Sequence, residues 1–123
     1  MKHSPELELF TTRRVAVVEG SREAAEMLHM FFRLMELECS LIKPDEQAIS
    51  NIRRFDPDVV ILDLDLPNLR ALELARGLRG LTILFVTDAD RARTAVDAPV
   101  LRKPRNAFEE FLRLFEVVLA MER

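Results

Sequence analysis

Asp58-Val59-Val60-Ile61-Leu62-Asp63-Leu64-Asp65-Leu66-Pro67, residues 58–67, is the stretch on which the fold turns. Val59 to Leu62 is an unbroken run of β-branched and aliphatic residues with no polar side to offer water. Such a run fits a strand covered on both faces, as in a parallel sheet. Asp56-Pro57 closes whatever helix precedes it. The run delivers a carboxylate, Asp63, to the strand's end, and Leu66-Pro67-Asn68 is loop.

Outward from this strand the hydrophobic period keeps switching. Val15-Ala16-Val17-Val18 is a second buried strand ending at Glu19-Gly20. Ser21 then caps a helix whose Ala24, Met27, Leu28, Phe31 and Met35 share a face. Cys39 to Ile42 is a weaker strand, and Pro44-Asp45-Glu46 opens a helix carrying Ala48, Ile49 and Ile52. After Asp63, Leu69 to Leu78 is helical, with Gly77 or Gly80 ending it. Thr82 to Val86 is the fourth strand, Val100-Leu101 a short fifth, and Ala107 to Met121 a long final helix. Five strand–helix repeats predict a doubly wound parallel sheet with right-handed crossovers and helices on both faces. Chemistry in such sheets gathers at the C-terminal strand ends. Glu19, Asp63, Thr87 and Lys103 each follow a strand, so all four are expected on one rim.

The totals exclude much else. The 123 residues suit one domain, 13–123, behind a polar lead-in, 1–12, whose Leu7, Leu9 and Phe10 are available to dock on it. A net charge of −3 gives no general attraction for nucleic acid or anionic lipid. No apolar stretch is long enough to span a membrane, and the lead-in lacks the apolar core of a signal peptide. A single cysteine, Cys39, forms no internal disulfide and suits the reducing cytoplasm. With only Gly20, Gly77 and Gly80 there is no phosphate-cradling glycine loop. Cys39, His3 and His29 make neither a structural zinc site nor a serine-protease triad.

Each rim residue alone is ordinary: a strand-end acid, a β-forming threonine, a solvated lysine. Together they compose a cation-dependent phosphoryl site. A carboxylate accepts the group, acids hold a divalent ion, and a hydroxyl and an ammonium bind the phosphoryl oxygens.

The segments Val17-Val18-Glu19, residues 57–67, Ile83-Leu84-Phe85-Val86-Thr87 and Lys103-Pro104 resemble the receiver (CheY-like) domain of two-component response regulators. The resemblance covers about residues 13–121 and implies a flavodoxin-like five-stranded sheet in the order 2-1-3-4-5. It implies that Asp63 is the phosphoacceptor, Thr87 the switch hydroxyl and Lys103 the phosphoryl-binding ammonium. It places the metal at Glu19, Asp63 and Asp65, the last through backbone or side chain, and implies a cis bond between Lys103 and Pro104. A histidine kinase or another signalling protein is the implied partner. No enzymatic activity is implied beyond autocatalytic phosphoacceptance and dephosphorylation at Asp63.

Departures from the family cluster at the site. Gly20 stands where a second acid is usual, which weakens Mg2+ binding. Asp88 stands where a small residue is usual, and Val100 where an aromatic is usual, three places before the lysine. The stretch from Thr87 to Lys103 is short, so a shortened or irregular fourth helix is expected between the fourth and fifth strands. In the final helix Phe108, Phe111, Leu112, Phe115 and Leu119 are expected inward. Leu114, Val117 and Met121, flanked by Val118, then form an outer stripe available to a homodimer or partner. Two readings follow: an atypical receiver with little or no Mg2+-dependent phosphorylation that acts through protein contacts, or a conventional receiver phosphorylated at Asp63 by a histidine kinase.

Overall fold

The computed structural model describes residues 13–89, 98–105 and 107–121. The expected lead-in, and the stretch 90–97 that would carry most of the expected fourth helix, lie outside the described residues. The elements run β1 (Arg14–Val18), α1 (Arg22–Leu34), β2 (Glu38–Ile42), α2 (Ala48–Phe55), β3 (Val59–Asp63), a 3-10 turn (Pro67–Leu69), α3 (Arg70–Gly77), β4 (Ile83–Thr87), β5 (Val100–Arg102) and α4 (Phe108–Ala120).

The five strands form one sheet in the order β2-β1-β3-β4-β5, and every pairing is parallel. This is the flavodoxin-like, CheY-like order expected from the sequence. β3 is central and wholly buried. Alternate residues of the inner strands feed two cores. Val15, Val17, Val59, Ile61, Leu84 and Val86 face α1 and α4, meeting Phe31, Phe32, Phe111, Leu114 and Val118. Ala16, Val18, Val60, Leu62 and Phe85 face α2 and α3, meeting Ile52, Leu74 and Leu78. Each fully buried valine, leucine or isoleucine contributes about 1.5–3 kcal/mol, so the register of β3 is fixed from both sides. Asp63 pairs with Val86, and Thr87 with Arg102, which aligns the strand ends.

Local chemistry sets the helix ends. The Ser21 hydroxyl accepts the Ala24 N–H at 3.2 Å and caps α1. α2 starts later than Pro44 suggests, at Ala48, because the Asp45 carboxylate takes the Gln47 N–H at 2.9 Å in a turn of its own. Asp56, at φ 56°, ends α2 in the left-handed region. The Arg14 guanidinium stacks 4.3 Å from the Phe55 ring centre and pairs with Glu38. The Arg13 guanidinium donates to the Met121 carbonyl at 2.6 Å, joining the start of β1 to the end of α4.

Two helices are turned relative to the stripes read from sequence. In α1 the buried positions are Ala25, Leu28, Phe31 and Phe32, while Met27 is exposed. In α4 they are Phe111, Leu114 and Val118, with Leu112, Phe115, Val117 and Met121 partly buried. Phe108 is 62% exposed and Leu119 is also exposed. Leu114, Val117 and Met121 therefore belong to the core and its margin, and do not form the outer face proposed for a dimer. The reason is aromatic: Phe108 and Phe115 meet the edges of the Phe31 ring from α1, with centroids 6.0 and 6.3 Å away. That contact leaves Leu114 and Val118 to fill the space above the sheet.

Candidate functional site

Three polar or charged residues are buried among the described residues: Glu19, Asp63 and Thr87. Each sits at the C-terminal end of a strand, or one residue beyond it. Lys103, one residue after β5, extends the ladder with its N–H on the Thr87 carbonyl at 2.9 Å. Its side chain, 12% exposed, reaches back over the rim. The four residues expected together from the sequence are together.

Lys103 Nζ lies 2.9 Å from Asp63 Oδ1, 3.0 Å from Glu19 Oε1 and 3.5 Å from Asp65 Oδ2. Burial alone would lower its pKa, but the Asp63 and Glu19 carboxylates outweigh that and raise it, so the ammonium keeps its proton. Glu19 is pushed up, first by burial and then by the neighbouring Asp63; the Ser21 N–H and Lys103 oppose this only in part. Asp63 is held on both oxygens. Oδ1 also accepts the Asp65 N–H at 2.8 Å, and Oδ2 accepts the Gly20 N–H at 2.9 Å.

Asp65 does not project freely into solvent. Its Oδ1 accepts the Thr87 hydroxyl at 2.7 Å, and its Oδ2 accepts the Asp88 N–H at 2.8 Å. Partial burial would raise this carboxyl; the Thr87 hydroxyl, the Asp88 N–H and Lys103 together bring it below the ordinary carboxylate value. The Thr87 oxygen in turn accepts the Ala89 N–H at 3.0 Å. Asp88 is half exposed and lies 3.4 Å from the Arg105 guanidinium, which offsets its charge. Glu110 Oε1 accepts the Arg105 N–H at 2.9 Å and secures the approach to α4. Beside the rim a cleft of about 330 Å³ is lined by Glu19, Ala24, Met27, Lys103, Arg105 and Phe111.

The donor set does not suit Mg2+. Among the described residues no three His, Cys, Asp or Glu side chains are grouped to hold a metal ion. Gly20 supplies an N–H where a second acid would supply oxygen, and the Lys103 ammonium stands among the three carboxylates as a cation would. A further expectation fails beside it: no cis peptide bond occurs among the described residues, so Lys103–Pro104 is trans. Trans is also the isomer that an X–Pro bond favours by about 0.5–1 kcal/mol. Three contacts escape a sequence reading: the Gly20 N–H on Asp63, the Asp65–Thr87 link, and the Arg105–Asp88 pair. Only the last has a sequence signal, an arginine two places beyond Lys103.

The family model for the response regulator receiver domain matches residues 15–102. Over 78 residues the chain is 33% identical to the DNA-binding response regulator MtrA of Mycobacterium tuberculosis, covering 61% of this chain and 34% of MtrA. The chain thus spans about a third of the length of that relative. In structure it is similar to a putative response regulator from Chloroflexus aurantiacus, with a TM-score of 0.73 at 24% identity, covering 90% of this chain and all of the other. It is also similar to the response regulator protein TrrA of Thermotoga maritima, solved in complex with the histidine kinase ThkA. That TM-score is 0.71 at 22% identity, with 89% of this chain and 100% of TrrA covered. Among the described residues no helix is long and apolar enough to cross a membrane.

Proposed function

This chain belongs to the response regulator receiver domain family, and from that premise we propose that it serves two-component signalling as an atypical receiver. In this reading Asp63 occupies the phosphoacceptor position but takes up a phosphoryl group weakly or not at all. The output is a contact with another signalling protein in the cytoplasm.

The position of Lys103 carries the reading. Its ammonium neutralises Glu19 and Asp63, and Gly20 adds an N–H beside them where a further carboxylate would hold a divalent ion. A phosphoryl group brings about −1.5 to −2 of charge. Two like charges about 4 Å apart repel by about 4 kcal/mol at an effective dielectric near 20. Glu19 and Asp65 stand beside Asp63, and Gly20 adds no further acid to recruit a compensating metal. The unpaired Cys39 fits a reducing compartment. A conventional receiver, phosphorylated at Asp63 by a histidine kinase, is the second reading, and the convergence of Glu19, Asp63, Thr87 and Lys103 on one rim favours it.

Titration of 15N-labelled protein with Mg2+ and beryllofluoride separates the two. The atypical reading expects no saturable shift at the Asp63, Thr87 or Lys103 amides up to tens of millimolar Mg2+. Saturable shifts that vanish in Asp63→Asn would establish the conventional reading instead.

A further inference from the structure

Asp65 already holds the groups that would read a phosphoryl group at Asp63. Its two oxygens take the Thr87 hydroxyl at 2.7 Å and the Asp88 N–H at 2.8 Å, and Oδ2 lies 3.5 Å from the Lys103 ammonium. A hydroxyl, an amide N–H and an ammonium converging on two oxygens form the donor set an oxyanion needs. Thr87 is 1% exposed. Its oxygen accepts the Ala89 N–H, so its one proton is aimed at Asp65.

We propose that the Asp65 carboxylate stands in for the phosphoryl group and holds Thr87 drawn in, so that the end of β4 answers to Asp65 instead of to phosphorylation of Asp63. The inference rests on the receiver reading of this site. It excludes only a phosphorylation of Asp63 that draws Thr87 off Asp65.

The Asp65 N–H is clamped by Asp63 Oδ1 at 2.8 Å, a side-chain turn of the kind aspartate makes two residues on. That turn sends the Asp65 side chain back across the rim toward β4. A carboxylate brings one negative charge, less than the −1.5 to −2 of a phosphoryl group. It therefore satisfies Thr87 and Lys103 with less repulsion from Glu19 and Asp63. The same contacts keep Asp65 ionised at neutral pH.

The test compares amide spectra and hydrogen exchange of wild type, Asp65→Ala, Asp65→Asn and Asp63→Asn. Asp65→Ala is expected to shift the Thr87, Asp88 and Ala89 amides and to speed Asp88 exchange about tenfold, as loss of a charge-assisted hydrogen bond would. Asp65→Asn, which keeps an acceptor for Thr87, is expected to fall between the two. Asp63→Asn should leave Asp88 exchange within about twofold of wild type. The proposal is overturned if Asp65→Ala leaves Asp88 protection unchanged, or if Asp63→Asn loosens it equally. Beryllofluoride binding by wild type would sink the atypical reading of the function, while the Asp65 variants would still decide this inference.

Discussion

The Lys103 ammonium lies 2.9 Å from Asp63 Oδ1, and both groups are nearly closed to solvent. Removing one partner of a buried pair leaves an uncompensated charge, at a cost of about 3–5 kcal/mol. Lys103→Met should therefore unfold at lower urea, with a loss of about 3 kcal/mol near pH 8. The pH dependence has a definite sign. Glu19 already titrates above its ordinary value of 4.5, and without the ammonium it would rise further. An acid raised in the folded state loses stability as pH climbs through that raised value. The deficit of Lys103→Met should thus shrink as pH falls toward 4.5, where Glu19 takes up a proton. A deficit that is constant, or that grows in acid, would show that Lys103 is not neutralising these carboxylates.

Gly20→Asp should restore a metal response. A Cβ at this position would stand 3.2 Å from Leu66 Cδ2 and 3.3 Å from Asp63 Oδ2, so both side chains must yield a few tenths of an ångström. The added carboxylate also meets like charge. Together these should cost about 1–3 kcal/mol in the absence of divalent ions. Millimolar Mg2+ should return part of that loss in Gly20→Asp and leave the wild-type melting temperature unchanged. Identical melting of Gly20→Asp with and without Mg2+ would refute the idea that the missing acid limits the site.

The two faces of α4 are separable by truncation. Leu114 is 1% exposed and Phe108 is 62% exposed. Leu114→Ala should cost about 2–4 kcal/mol by transfer and cavity terms, and Phe108→Ala less than about 1 kcal/mol. Chemical denaturation of both variants checks this; a reversed order would return Leu114 to the outer face.

Burial pushes the Cys39 thiol up to about 12, with the charge of Arg33 opposing it only in part. At pH 8 the thiolate fraction is then about a thousandfold below that of an exposed cysteine. Alkylation by iodoacetamide should be slow in the native protein and reach the free-thiol rate in denaturant. Native labelling at the free-thiol rate would contradict this burial.

The sheet is legible in the sequence because β3, covered on both faces, has no place for a polar residue between Val59 and Leu62. Its end, and those of β1, β4 and β5, locate Glu19, Asp63, Thr87 and Lys103 without knowledge of any side-chain contact. Periodicity is weaker on α4: two apolar stripes overlap there, and the spacing alone does not say which one meets the sheet. The rings around Phe31 decide that, and they belong to another element. Asp65 is harder still. Strand alternation stops at Asp63, and the direction of the Asp65 side chain comes from the turn closed by Asp63 Oδ1 on its N–H. Gly20 reads as a missing ligand in the sequence, while the hydrogen bond it makes to Asp63 is a backbone property that residue type does not announce.

The Arg13–Met121 contact has a mechanical consequence. Polypeptide entering at Arg13 and leaving at Met121 passes through one corner, at the foot of β1, remote from Asp63. Tension applied between Arg13 and Met121 would load this guanidinium–carbonyl contact, and the Glu38 N–H on the Arg13 carbonyl, before it reached the central strand β3.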